Sequence, residues 1–196
     1  MEKNCLLAGV GGQGTVLASK LIAQTTLNQG EFVRTSETIG MAQRGGCVVS
    51  HVRIGSKEMS SAIPKQKADI IIGFELAETV RAMPFLKKEG VVVANTSVIT
   101  PITAALTGGY DSEMMKNYLR EEAMKVVFVD GKTLCDKVGS SKVLNVVMLG
   151  VCIKEGILPF TKEELIQTIT TYLPEKFQKI NIKALEAGYN YKNNEG

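Results

Sequence analysis

The feature that most constrains this sequence is a glycine-rich segment close to its start, GVGGQGTVLASKLIAQ at residues 9–24. An apolar run precedes it and a segment of helical periodicity follows, so we predict a strand, a tight turn and a helix. Gly9, Gly11 and Gly14 have the G-x-G-x-x-G spacing of a dinucleotide-binding turn. Backbone N–H groups at the start of such a helix favour an anion. The competing interpretation, in which the glycines only let the helix pack close to its strand, stays open.

Two common uses of such a turn are disfavoured by the residues around it. Thr15 and Val16 follow Gly14, where a Walker A loop needs Lys and then Ser or Thr. Binding of NAD needs an acidic residue at the end of the second strand to contact the ribose hydroxyls. Glu37 is at about the right distance, but Arg34 lies close by and the next segment does not have the pattern of a helix. The sequence therefore disfavours both an ATPase and a classical NAD enzyme.

The segments after the turn predict an α/β fold with an unusual insertion. A second strand at 31–36 is followed by a glycine-containing loop at 37–46 and a further strand at 47–55. We expect residues 56–65 to turn back as a short edge strand and complete a local β-hairpin. The alternation of strands and helices then resumes, with strands at 68–74, 90–96 and 125–130 and helices at 75–89 and near 112–123.

The chain is predicted to be helical from about residue 140 onward. The segment 140–156 is apolar on nearly all sides and predicts a buried helix, and Thr161 with Glu164 forms a capping box for the next one. Two amphipathic faces follow, made of Leu165, Ile169, Tyr172 and Leu173, and of Phe177, Ile180, Ala184 and Leu185. The prediction is one domain over residues 1–196, with a Rossmann-like, mostly parallel sheet flanked by helices, a local β-hairpin after strand two and a helical C-terminal portion.

Composition excludes several classes of function. The net charge is +3 and the lysines are scattered, so no nucleic-acid surface is expected. The four cysteines lie far apart without a C-x-x-C pair, which disfavours an iron–sulfur or zinc site. Cys5, Cys47 and Cys152 have apolar neighbours in the sequence and are expected to be buried, reduced thiols. The most apolar run, residues 143–153, is too short to cross a bilayer, so we expect a cytoplasmic protein with no membrane contact.

Polar groups that follow the predicted strands define a candidate binding site, because ligands of such sheets lie outside the carboxyl ends of the strands. Besides the glycine turn, Ser36 and Glu37, the groups that could line this crevice are Glu75, Glu78, Asn95, Thr96 and Asp130. The loop at 37–46 adds donors suited to phosphate or carboxylate, although its spacing alone favours a surface turn with a solvated Arg44. We expect no metal site and no catalytic acid–base pair, and we expect the single histidine, His51, to be structural. The candidate cofactor-binding residues are Gly9, Gly11, Gly12, Gln13, Gly14, Thr15, Ser36, Glu37, Gly40, Gln43, Arg44 and Gly45.

Two motifs together resemble a known family. The segments GVGGQGTVLASKLIA and SETIGMAQRGGCVVSHVRIG are similar to the gamma-type domain of 2-oxoacid:ferredoxin oxidoreductases, and the likeness extends from residue 3 to about 191. Pyruvate and 2-oxoglutarate members typically have GPE-R-GG in the second motif, so GMAQRGG favours the indolepyruvate branch. Ile39 is a departure, since that branch often has a histidine at this position.

The resemblance implies that two subunits have different roles in the reaction. Enzymes of this family decarboxylate a 2-oxoacid on thiamine diphosphate, pass electrons through iron–sulfur clusters to ferredoxin and release an acyl-CoA. In the indolepyruvate branch a larger alpha subunit holds the thiamine diphosphate and the clusters. This chain is then expected to bind no cofactor alone, to shape the cleft with its glycine turn and Arg44 loop, and to contact CoA phosphates or the alpha subunit. A gamma subunit for another 2-oxoacid, a stand-alone nucleotide-binding regulator and a pure scaffold are the alternatives.

Overall fold

The chain alternates strands and helices around one sheet. The computed structural model describes residues 2–40, 46–55, 57, 60–99 and 111–192. The strands are β1 (Lys3–Val10), β2 (Val33–Ile39), β3 (Cys47–Ile54), β4 (Ala68–Gly73), β5 (Leu86–Asn95) and β6 (Lys125–Val129). The helices in this part of the chain are α1 (Thr15–Asn28), α2 (Leu76–Ala82), α3 (Ser112–Glu122), α4 (Gly131–Val138), α5 (Leu144–Lys154), α6 (Lys162–Tyr172) and α7 (Glu175–Tyr189), with 3₁₀ turns at Met83–Phe85 and Ser141–Val143.

The six strands of the described ranges form one sheet in the order β2-β3-β1-β4-β5-β6. Strands β1, β4, β5 and β6 pair in parallel, whereas β3 pairs antiparallel with both β1 and β2. Only β3 therefore runs against the other strands, and the predicted mostly parallel α/β sheet is confirmed. The carboxyl ends of β1, β4, β5 and β6 meet at one edge, where a ligand site of such a sheet is expected.

Apolar cores cover both faces of the sheet. Successive side chains of β1 pack on opposite faces of the sheet, with Cys5 and Leu7 in one core and Leu6 and Ala8 in the other. This explains why the strand is an unbroken apolar run, since parallel strands are buried on both sides. The larger core contains α1 and the C-terminal helices α4 to α7, and the smaller one contains α2 and α3. No helix in the described ranges is long and apolar enough to cross a membrane.

The antiparallel hairpin is formed by β2 and β3, not by β3 and a return strand at 56–65 as predicted. Strand β2 continues to Ile39, past the expected end at residue 36, and pairs along its length with β3. Within 56–65, the described residues 57 and 60–65 contain no strand, so the expected return strand is absent there. The hairpin therefore joins β2 to β3 through the glycine-containing loop, and β2 forms the edge of the sheet.

The helix predicted over 75–89 ends much earlier. Helix α2 stops at Ala82, a 3₁₀ turn contains Pro84, and β5 begins at Leu86. Pro84 has no N–H to donate to the helical ladder, which explains the early end. Helix α4 was not predicted, although Asp130 caps its first turn by accepting from the Thr133 N–H and Gly139 ends it with a φ of 94°.

The C-terminal helices confirm the predicted capping box and correct part of the predicted burial. Thr161 and Glu164 make both reciprocal hydrogen bonds of the box. Tyr172 and Phe177, which were expected to face the core, are 47% and 48% exposed. All four cysteines are free thiols, but Cys47 is exposed and Cys135 is buried, contrary to the expectation that Cys47 would be buried. Cys47 is the first residue of β3, whereas Cys135 lies on the inner face of α4.

Candidate functional site

The glycine turn connects β1 to α1. Its conformation is defined by two positive φ angles and by a backbone hydrogen bond. Gly12 and Gly14 have φ angles of 100° and 79°, in the left-handed region that favours glycine. The Gly11 N–H donates to the Gly46 carbonyl oxygen over 2.9 Å, which joins the turn to the base of the 40–46 loop. The two motifs that are far apart in the sequence therefore meet at one end of the sheet.

The carboxamide of Gln13 fastens the turn to the neighbouring strand. Its Oε1 accepts from the Val10 N–H at 2.9 Å, and its Nε2 donates to the Phe74 carbonyl oxygen at 3.0 Å. Gly9 leaves room for this arrangement, because a Cβ there would lie only 2.7 Å from Gln13 Oε1. Gln13 is thus a positioning residue of the turn.

A second carboxamide, from Asn95 at the end of β5, uses the same acceptor. Asn95 is buried, its Nδ2 donates to the Phe74 carbonyl oxygen at 2.8 Å, and its Oδ1 accepts from the Gly131 N–H at 3.1 Å. Gln13 and Asn95 therefore link the ends of β1, β4 and β5 to the first residue of α4. This network gives the edge of the sheet a fixed shape.

A cavity of about 270 Å³ lies between the glycine turn and α4. Gly131 and Lys132 at the start of α4 line this cavity, as do Gly12 and Gln13 of the turn before α1. Gly14 caps α1 without a side-chain hydrogen bond. Helix N-termini and the Lys132 ammonium favour an anion, while Asp136 adds one negative charge to the wall. The lining consists of Gly12, Gln13, Asn95, Ser97, Ile99, Gly131, Lys132, Cys135, Asp136, Ser141 and Leu144.

Two buried polar atoms beside the turn have no hydrogen-bond partner within the described part of the chain. These are Thr15 Oγ1, at the start of α1, and Asn145 Oδ1, in the apolar helix α5. The other amide atom of Asn145, Nδ2, lies 3.4 Å from the Gly14 carbonyl oxygen. A buried polar atom without a partner costs about 1–3 kcal/mol, so an external hydrogen-bonding group would be most favourable at these two atoms.

The structure brings only part of the predicted site together. Gly9, Gly11, Gly12, Gln13, Gly14 and Thr15 form the turn, and Gly40 donates its N–H to the Cys47 carbonyl oxygen at the stem of the second motif. The side chains of Ser36 and Glu37 point to opposite faces of β2, toward the Ser61 carbonyl oxygen and the Ser19 hydroxyl at 3.4 Å each. Gln43, Arg44 and Gly45 lie outside the described residues.

Of the two buried carboxylates at the start of α2, Glu75 caps the helix and Glu78 forms an ion pair. Glu75 Oε2 accepts from the Glu78 N–H at 2.8 Å, and its Oε1 accepts from the Ile99 N–H at 3.0 Å. Glu78 pairs with Arg81. Although Cys47 is exposed overall, partial desolvation of its thiol and the nearby Glu78 carboxylate raise the pKa of this thiol to about 11, so it is a poor nucleophile at neutral pH.

His51 has the structural role that was predicted for it. Its Nδ1 accepts from the Ile63 N–H at 3.1 Å, and its ring packs edge-on against Phe85. Burial and the charge of Arg53 lower the pKa of His51. Among the residues that the structure describes, no group of three or more His, Cys, Asp or Glu side chains could hold a metal ion.

The sequence prediction missed several residues that line the cavity. Asn95 was expected at the crevice because it follows a predicted strand, but it was not among the candidate cofactor-binding residues, and Gly131 and Lys132 belong to the helix that was not predicted. Asn145 had one sequence signal, an amide in an otherwise apolar helix. Its position against Gly14 depends on how α5 packs on the turn.

Sequence comparisons give extended matches. The profile of the family described as pyruvate ferredoxin/flavodoxin oxidoreductase matches residues 4–191. Indolepyruvate oxidoreductase subunit IorB of Archaeoglobus fulgidus is 38% identical, over 97% of this chain and 95% of its own length. The pyruvate/ketoisovalerate oxidoreductases common subunit gamma of Pyrococcus abyssi is 26% identical, over 91% of this chain and 92% of its own length.

A solved structure has the same fold. The gamma subunit of a keto/oxoacid ferredoxin oxidoreductase from Geobacter sulfurreducens superposes with a TM-score of 0.69, covering 95% of this chain and 96% of that one, at 22% identity. At this identity the likeness concerns the fold alone. The fold as a whole is therefore one that a known gamma subunit shares.

Proposed function

Because the chain belongs to the pyruvate ferredoxin/flavodoxin oxidoreductase family, we propose that it is the subunit without iron–sulfur clusters of a thiamine-diphosphate-dependent 2-oxoacid:ferredoxin oxidoreductase. The observation that carries the proposal is the match of the whole chain, residues 4–191, rather than of one motif. The chain acts as one gamma-type domain, in the cytoplasm, with a larger alpha subunit that carries the thiamine diphosphate and the clusters.

The proposed reaction consumes a 2-oxoacid, CoA and two oxidised ferredoxins and yields an acyl-CoA, CO₂, two reduced ferredoxins and a proton. Thiamine diphosphate on the partner supplies the carbanion chemistry of the decarboxylation. This chain contributes the fixed edge made by Gln13 and Asn95, which holds the glycine turn at the cleft. On this proposal the isolated chain has no activity of its own.

We propose that the cavity beside the glycine turn receives a phosphate group of CoA. The glycine turn before the uncapped N-terminus of α1 and the Lys132 ammonium favour an anion, whereas the N-terminus of α4 is already capped by the Asp130 carboxylate. A cavity of about 270 Å³ is below the size that encloses a drug-sized ligand, about 300–1,000 Å³. It therefore suits one end of CoA, with the rest of the molecule held by the partner. Ser36, Glu37, Gly40, Gln43, Arg44 and Gly45 remain predictions for the rim.

The proposed substrates are indolepyruvate and other aryl pyruvates, which would yield aryl-acetyl-CoA. Support comes from identity, which is 38% to the indolepyruvate relative and 26% to the pyruvate/ketoisovalerate relative over similar lengths. The second motif GMAQRGG supports the same branch. A gamma subunit for pyruvate, 2-oxoglutarate or 2-oxoisovalerate is the alternative, and competing these acids against indolepyruvate in the assembled enzyme distinguishes them.

Reconstitution tests the proposal. The purified chain is mixed with the cluster-bearing subunit from the same organism, and indolepyruvate-dependent, CoA-dependent reduction of ferredoxin is followed. We expect turnover only when both subunits are present. The control Lys137→Ala changes an exposed lysine of α4 that does not line the cavity, whereas Lys132→Ala should raise the KM for CoA several-fold. Equal turnover with and without this chain would overturn the proposal.

A further inference from the structure

An apolar groove remains open on the helical side of the chain, next to the cavity but separate from it. It has a volume of about 310 Å³ and lies between the first turn of α1, the segment before α5 and the junction of α6 with α7. Its apolar walls are Leu17, Val143, Leu173, Phe177 and Ile180. We refer to this surface as the α6–α7 groove.

The groove exposes a large aromatic side chain that the amphipathic pattern of α7 would place in the core. Phe177 is 48% exposed, whereas Ala184 and Leu185, two turns later on the same helix, are fully buried. Burying apolar surface is favourable by about 25 cal/mol per Å². An exposed phenylalanine at the wall of a concave apolar surface is therefore a typical anchor point for another protein.

The rim of the groove is positively charged. Lys142 lines it, and the Lys176 ammonium lies 5.0 Å from the centre of the Phe177 ring. No acidic residue lines the groove, and neither lysine forms an ion pair within the described part of the chain. A symmetric dimer through this face would place like charges together, because the same patch meets itself in a two-fold interface. The charge therefore favours a different, acidic partner over a second copy.

The groove borders the candidate site. Ser140, Lys142 and Val143 line the groove, while Ser141 and Leu144 of the same short segment line the cavity beside the glycine turn. On α1, Leu17 follows the turn residues Gly12 and Gln13 that line the cavity. A protein that covers the cavity at this segment therefore lies next to the groove.

We propose that the α6–α7 groove is the docking surface for a segment of the larger partner subunit that carries an apolar anchor flanked by Asp or Glu. The anchor packs against Phe177 and Ile180, and the carboxylates pair with Lys142 and Lys176. This inference rests on the proposed function, since it names the surface that the partner uses. It specifies that the side of the chain with the α6–α7 groove faces the partner when the cavity is covered.

The test uses a pair of matched substitutions. Phe177→Glu places a carboxylate in the groove, at the start of a helix where a negative charge is favourable. Tyr172→Glu is the control, because Tyr172 is an aromatic residue of nearly equal exposure, 47%, that does not line the groove. Affinity for the purified cluster-bearing subunit is measured by biolayer interferometry. We expect Phe177→Glu to weaken binding at least about thirtyfold and Tyr172→Glu less than about threefold.

Charge reversal gives a second variant that does not alter the apolar walls. Lys142→Glu with Lys176→Glu should slow association and reduce its dependence on salt concentration. If Phe177→Glu loses its native circular dichroism spectrum, this double variant decides the outcome by the same criteria. Unchanged affinity and salt dependence would overturn the docking proposal.

Failure of this inference is distinguishable from failure of the proposed function. If the wild-type chain binds and activates the partner while the groove variants do so equally well, only the docking surface is wrong. If the wild-type chain neither binds the partner nor restores turnover, the proposed function is wrong. A loss of self-association in Phe177→Glu, with partner binding intact, would assign the groove to a second copy and also overturn the proposal.

Discussion

Gly12 and Gly14 have similar backbone angles and very different surroundings, which makes their roles separable. Both have positive φ, so alanine at either position costs about 1–2 kcal/mol of backbone strain. A Cβ on Gly12 would meet no atom within 4 Å, whereas on Gly14 it would lie 2.8 Å from Asn145 Nδ2. Gly14 therefore carries a packing constraint that Gly12 does not.

We predict that Gly14→Ala lowers the free energy of unfolding by about 2–4 kcal/mol, and Gly12→Ala by only about 1–2 kcal/mol. Urea unfolding followed by circular dichroism measures both. In a double-mutant cycle, Asn145→Ala should restore part of the loss in Gly14→Ala and none in Gly12→Ala. Equal losses at the two glycines would show that Asn145 does not constrain the turn.

At the scale of single residues, the sequence predicted the glycine turn but not the side-chain hydrogen bonds that hold it in place. The spacing of Gly9, Gly11 and Gly14 is local information, so strand, turn and helix are confirmed. The shared use of the Phe74 carbonyl oxygen by Gln13 and Asn95 joins residues more than 60 positions apart, at 13 and 74, and depends on sheet order. No local pattern encodes such a contact.

Among the elements, those with strong periodicity or clear caps were predicted well. Strands β1 and β4 contain apolar runs bounded by turn residues, β3 follows a pair of glycines, and α6 begins with a capping box. The failures have local causes. The stretch 75–89 has helical periodicity, but Pro84 ends the helix and β5 begins at Leu86. Helix α4 has eight residues, too few for periodicity to show.

The pairing of α5 with α7 depends on two glycines that no periodicity indicates. A Cβ on Gly188 would overlap the Val147 carbonyl oxygen, and one on Gly150 would overlap that of Leu185. The obstacles are backbone atoms in the facing helix, so rotation of a side chain cannot relieve them. Both glycines allow the two helices to approach closely within the larger core.

We predict that Gly188→Ala lowers the free energy of unfolding by about 2–4 kcal/mol, despite the higher helix propensity of alanine. Thermal unfolding and urea titration measure the loss. Glu186→Ala is the control, since Glu186 is an exposed residue of the same helix and should change stability by less than about 0.5 kcal/mol. A neutral or stabilising effect of Gly188→Ala would mean that the helices can separate at little cost.

Across the whole molecule, the order of the strands decides what the glycine turn can bind. In a dinucleotide-binding fold the second strand lies beside the first, and its terminal acidic residue reaches the ribose. Here the antiparallel β3 occupies that place, and Val10 is paired with Cys47. With strands about 4.8 Å apart, β2 lies about 10 Å from β1, and Glu37 contacts Ser19 instead. The sequence indicated a departure after strand two, but the place of β2 at the sheet edge required the structure.

We therefore predict that the isolated chain has no saturable affinity for NADH or NADPH below about 1 mM, although it carries the G-x-G-x-x-G spacing. Isothermal titration calorimetry with both nucleotides measures this, with a known NADH-binding dehydrogenase as the positive control. A micromolar Kd that Glu37→Gln weakens would show that Glu37 acts as a ribose ligand after all. If the isolated chain binds neither NADH nor NADPH while the assembled enzyme turns over with CoA, the glycine turn is best explained as an anion-binding element of a site shared with the partner. Sheet order, rather than the glycine motif, would then be the determinant of ligand class in this architecture.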